Sequence, residues 1–110
     1  FASSDVHTTV KFSGPLSVVD AVLADHAEAV VREAVSNAVR HAHATALTVA
    51  VTAGEEFRIE ITDDGDGIPV DVTESGLSNL RRRASEAGGT FSVGQGSGGG
   101  TQLVWSAPLK

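Results

Sequence analysis

Ala27, Val30, Val31, Ala34, Val35, Ala38, Val39 and Ala42 recur at steps of three and four along the chain. That period gathers them on one stripe of an α-helix and predicts a helix from about Asp25 to Ala44. Ahead of it, Val6, Val10 and Phe12 fall on one side of a weak alternation that Gly14-Pro15 closes, which predicts a strand. Beyond it, Leu47, Val49 and Val51 alternate with Thr48, Ala50 and Thr52. After Gly54, Phe57, Ile59 and Ile61 alternate with Arg58, Glu60 and Thr62, so the two runs read as a hairpin. Asp63 to Ser75 reads as a polar, Gly-bearing loop. Leu77, Leu80, Ala84 and Ala87 mark a shorter helix that Gly88-Gly89 stops. Thr90–Val93 and Thr101–Ser106 read as closing strands joined by the Gly-rich turn Gly94–Gly100, with Pro108 ending the pattern. The order strand, helix, two strands, helix, two strands predicts helices covering one face of a mixed sheet.

Composition narrows the function classes. At 110 residues, 41% hydrophobic and 20% charged, the chain has the profile of one ordinary globular domain, expected to span residues 1–110. Its apolar runs are a few residues long, far short of a membrane span, and no signal-peptide pattern opens it, so a cytoplasmic setting without membrane contact is expected. Phe1 opens the chain without a Met, which suggests a fragment of a larger protein. The lack of Cys removes disulfide and thiolate chemistry. A formal charge of −6, with Arg81-Arg82-Arg83 as the single basic run, argues against direct nucleic-acid binding. That run is expected to be solvated, and Trp105 to lie in the core. No two of His7, His26 and His43 stand at a metal-ligand spacing, and no zinc site is expected.

Four groups of residues can carry chemistry. On the first helix, Glu33, Asn37, Arg40, His41 and Ala44 share a second face. That face is either a solvated surface or a site where the Asn37 carbonyl meets a hard cation and Arg40 and His41 meet phosphate oxygens. Asp63-Asp64-Gly65-Asp66-Gly67-Ile68 leaves a strand directly. It is either an acidic turn or the wall of a base pocket, where the Asp63 carboxylate accepts a hydrogen bond from an exocyclic amine such as adenine N6. A calcium loop does not fit, because Ile68 would stand where an oxygen ligand is needed. Ser75-Gly76-Leu77 places a glycine before a helix whose free N–H groups could meet an anion. Gly98-Gly99-Gly100-Thr101 is either a flexible hairpin turn or a place from which Thr101 reaches a base through water.

In this order, Glu33–Ala42, Asp63–Ile68, Ser75–Leu77 and Gly98–Thr101 resemble the GHKL ATPase family across nearly the whole chain. Arg32–Ala44, Gly76-Leu77 and Leu80–Ala84 through Gly88-Gly89 are similar to the histidine-kinase branch that signals to NarL-type response regulators. Within it, Val30–Thr45 and Leu103–Leu109 look most like the haem-based oxygen and redox sensor kinases of the DosS and DosT group. The resemblance implies a Bergerat-type α/β (α+β) two-layer sandwich that binds ATP and Mg²⁺ and passes the γ-phosphate to a histidine on a separate helical dimerisation domain. By position, Asn37 would ligate Mg²⁺, and Arg40 and His41 would face phosphate. Asp63 would hold adenine N6, while Gly65, Gly67, Gly76, Leu77 and Thr101 would shape the pocket. Glu33 would activate water in a hydrolysing relative, and orient metal-bound water in a kinase. A homodimeric parent kinase and a NarL-type regulator are the implied partners. A serine kinase of the anti-sigma type and a degenerate interaction module on the same fold are the alternatives. One departure is the short stretch Ile68–Ser75, where many relatives carry a longer lid. In the absence of nucleotide its acids Asp71 and Glu74, or Asp64 and Asp66, could pair with Arg40 or His41 and hold the entrance shut.

Overall fold

The computed structural model describes residues 7–15, 19–40, 45–65, 70–95 and 100–109, with the backbone alone described at 37–40, 70–76 and 95. Five strands and two helices follow one another as β1 (His7–Ser13), α1 (Ala21–Arg40), β2 (Ala46–Ala53), β3 (Glu56–Asp63), α2 (Val70–Glu86), β4 (Thr90–Gln95) and β5 (Thr101–Pro108). The sheet order is β1-β2-β3-β5-β4. β1 and β2 are parallel and every other pair is antiparallel, so the sheet is mixed as expected. The parallel pair needs a crossover, which α1 supplies.

Alternation along the central strands decides which side the helices cover. Leu47, Val49 and Val51 of β2, Phe57, Ile59 and Ile61 of β3, and Leu103 and Trp105 of β5 are buried. They face Leu23, Val30 and Ala34 of α1 and Leu80 and Ala84 of α2 in one core. Trp105 is fully buried, and its indole Nε1–H donates to the Leu80 carbonyl at 3.1 Å, tying β5 to α2. A buried Trp needs such a partner, because an unpaired N–H in an apolar core is costly. On the opposite face Arg58 lies between Glu56 and Glu60, with Nε 2.6 Å from Glu60 Oε2.

Both helices begin earlier than their apolar stripes alone suggest. α1 starts at Ala21 because Asp20 caps it: its Oδ1 accepts the Leu23 N–H at 2.9 Å, satisfying one of the free donors of the first turn. Leu23 and His26 then extend the buried stripe towards the N-terminus. α1 ends at Arg40, and the expected last turn, His41 to Ala44, lies outside the described residues. α2 begins at Val70, so the latter part of the expected loop Asp63–Ser75 is helical. Its end is as expected. The Gly89 N–H donates to the Ala84 carbonyl at 2.8 Å and the Gly88 N–H to Ser85 at 3.1 Å, with Gly88 at φ 77°. This closing pattern needs a left-handed residue, which glycine supplies without strain. β4 and β5 each run two residues beyond their expected ends, and Pro108 closes β5 from within.

Candidate nucleotide site

β3 delivers Asp63 to the end of the sheet. Asp63 pairs in register with Leu47, and Ile59 and Ile61 precede it at steps of two on the same face, so its side chain stands on the helix-covered side. The half-buried carboxylate is held there: Oδ1 accepts the Gly65 N–H at 2.9 Å and the Thr101 N–H at 3.3 Å. Among the described residues no donor is assigned to Oδ2. Thr101 is buried beside it, and its Oγ1 has no hydrogen-bond partner. Buried hydroxyls are almost always paired, so an orphan next to an anchored carboxylate suits a polar ligand or a water bridging to one. Gly100 lets β5 approach this closely, since a Cβ there would fall 1.9 Å from the Asp63 carbonyl oxygen. Sequence reasoning assigned Gly100 no role of its own, although it stands in the Gly98–Thr101 run.

The phosphate side of the expected site is the last part of α1. Glu33 is half-buried there, and Asn37 and Arg40 follow at one-turn steps on the same helix, with Arg40 its final residue. The side chains of Asn37 and Arg40, and His41 altogether, lie outside what is described, as does Gly67. Among the described residues no three acidic or histidine side chains gather as a metal site. The Gly65 N–H lies on the Asp63 carboxylate.

Gly76 corrects the expectation of an anion-binding helix start. It lies beyond the first turn of α2, where the backbone N–H groups belong to the helical ladder rather than to the free N-terminal set. Leu77 is half-buried against the core, and packing accounts for it. The arginine run divides: Arg81 and Arg82 are exposed, Arg81 lying 5.2 Å over the Phe91 ring. Arg83 is half-buried, with a terminal nitrogen 3.1 Å from His26 Nδ1. Asp64 is engaged by the start of β2. Its carboxylate accepts the Thr45 N–H at 2.8 Å, the Thr45 hydroxyl at 2.6 Å and the Ala46 N–H at 2.9 Å. These three donors all come from the Thr45–Ala46 start of β2. Asp66, Asp71, Glu74 and the cations they were to meet fall outside the described side chains.

The fold is a mixed five-stranded sheet with two helices on one face and an anchored Asp at the end of its central strand. Residues 23–110 match the family of histidine kinase-, DNA gyrase B- and HSP90-like ATPases. The chain belongs to that family. It is 36% identical over 108 residues to the sensor protein VraS of Staphylococcus saprophyticus, covering 94% of this chain and 30% of that protein. It is also 35% identical to the sensor histidine kinase LiaS of Bacillus subtilis, covering 77% and 25%. The crystal structure of the ATP-binding domain of PrrB from Mycobacterium tuberculosis superposes with a TM-score of 0.71 at 27% identity, over 94% of this chain and 80% of that one. The chain thus spans about a third or less of the curated relatives it matches, and it is homologous to sensor histidine kinases. No helix among the described residues is long and apolar enough to cross a membrane.

Proposed function

We propose that this chain is the catalytic module, spanning residues 1–110, of a cytoplasmic sensor histidine kinase. In this reading it binds Mg-ATP between α1 and the end of β3 and presents the γ-phosphate to a histidine on a separate dimerisation domain. The observation that carries the reading is the pairing of Asp63 and Thr101: a carboxylate fixed by two backbone N–H groups beside a buried hydroxyl with no partner. A carboxylate in that setting accepts the adenine amine and rejects a keto base, which would leave it unpaired.

The other roles follow from position along α1. Asn37 supplies a carbonyl oxygen to Mg²⁺, and Arg40 and His41 supply donors to the phosphates. Glu33, one turn earlier, orients water of the metal shell, because the nucleophile is an imidazole rather than water. Gly65 and Gly67 let the loop approach the base, and Gly76 and Leu77 act from within α2 by shaping its packing against the site. The phosphoacceptor is none of the four histidines of this chain. The motif Arg32–Ala44 and the Leu80–Ala84 helix favour the branch that signals to NarL-type regulators, with a resemblance to the DosS and DosT group, and favour a homodimeric parent.

The test is phosphotransfer in the parent kinase. Asn37→Ala should abolish labelling of the acceptor histidine while circular dichroism and the melting temperature stay near those of the unmodified protein. Undiminished labelling would remove the metal role.

A further inference from the structure

Asp63 and Asp64 are neighbours that face opposite ways. Asp63 turns to the helix side, and Asp64, one residue on, gathers donors from the start of β2. The Asp64 N–H in turn donates to the Ala46 carbonyl at 3.2 Å, and the Thr45 carbonyl accepts from the His7 N–H at 2.8 Å. Thr45 is therefore a junction where the ends of three strands are fastened, and Asp64 supplies the side chain that fastens it. The place is telling because α1 ends at Arg40, and the chain must reach Thr45 from there within the short connection 41–44.

We propose that Asp64 is a positioning residue for the nucleotide: by tying the arrival point of the chain from α1 to the end of β3, it fixes the distance between the adenine contact at Asp63 and the phosphate end of the site. This rests on the nucleotide reading above. ATP is held at both ends at once, so its affinity depends on how accurately the two ends are spaced. Adenosine touches the Asp63 end alone. Misplacement by about 1 Å is enough to cost a large factor at a site that must hold a ligand in register. A solvated strand-end acid with no such role would satisfy itself with water, whereas here two backbone N–H groups and a hydroxyl converge on one carboxylate at 2.6–2.9 Å. Such charge-assisted bonds are the stronger kind.

The experiment is calorimetric titration of Mg-ATP and of adenosine into the unmodified protein, Asp64→Ala, Asp64→Asn and Thr45→Val. For Asp64→Ala the affinity for Mg-ATP should fall about tenfold while that for adenosine stays within about twofold. Asp64→Asn keeps an acceptor for the two N–H groups and should recover Mg-ATP binding to within about threefold of the unmodified protein. Thr45→Val removes the hydroxyl alone and should show the same split at about threefold, which keeps the test open if Asp64→Ala does not fold. Equal losses for both ligands would mean general destabilisation and would overturn the proposal, as would no loss for either. An unmodified protein that bound Mg-ATP normally, with variants showing no split, would defeat the positioning role alone. Failure of the unmodified protein to bind Mg-ATP would instead defeat the nucleotide reading and the positioning role with it.

Discussion

Gly100 presses against the carbonyl of Asp63: a Cβ added to it would lie 1.9 Å from that oxygen, far inside contact distance. Gly94, within β4, has open space where its Cβ would be. Gly100→Ala must therefore push β5 away from β3 at the proposed adenine contact, at a cost of about 1–3 kcal/mol in overpacking. The expected outcome is a lower melting temperature together with weaker ATP binding, with Gly94→Ala leaving ATP binding unchanged. Equal behaviour of the two variants would show that the close approach does not matter.

The features that could be read from the sequence are those whose cause is local. β2 and β3 were plain because one face of each is buried, so Leu47, Val49 and Val51 and Phe57, Ile59 and Ile61 alternate with polar residues. The Gly88-Gly89 stop was plain because its hydrogen bonds return to the helix it ends. The start of α1 was misplaced because its signal, Asp20, lies before the regular apolar stripe. The start of α2 was missed because Asp71 to Ser75 is polar and Gly76 lowers helix propensity, while the helix is anchored further on by Leu80 and Ala84. Asp63, Gly65 and Thr101, singled out from motif and strand position, lie together in the structure. The Asp64 attachment to Thr45 spans 19 residues and that of Arg83 to His26 spans 57, so both depend on packing and register that no local pattern encodes.

Trp105 provides a stability test separate from the site. Its indole donates to the Leu80 carbonyl, and its ring lies 5.6 Å from that of His26 and 6.5 Å from that of Phe57. Trp105→Phe removes the hydrogen bond and part of the buried volume, at a cost of about 1–3 kcal/mol. Thermal unfolding should show a drop of several degrees, with ATP affinity kept in the folded fraction. An unchanged melting temperature would mean that the indole bond contributes nothing net.

Acid should undo the Asp64 junction. The hydrogen bond from the Thr45 side chain, followed by the backbone bonds from Ala46 and Thr45, lowers its carboxyl from 3.8 to about 2. A carboxyl lowered on folding adds stability that is complete above 3.8 and is lost as pH falls through about 2. The unmodified protein should therefore be more stable than Asp64→Asn at neutral pH, by a margin that is constant down to about 4 and closes towards 2. Denaturant melts across that range check it. A margin that stays constant to pH 2, or grows as pH falls, would contradict the assignment.

Asp63 is the proposed adenine contact, and titration of ATP and GTP, each with and without Mg²⁺, into the unmodified protein and Asp63→Ala tests it. The unmodified protein should bind ATP in preference to GTP and more tightly with Mg²⁺. Asp63→Ala should weaken ATP binding about tenfold, corresponding to about 1–3 kcal/mol for an unpaired amine, and erase most of the preference over GTP. Equal affinity for ATP and GTP in the unmodified protein, or ATP binding that Asp63→Ala leaves intact, would contradict it.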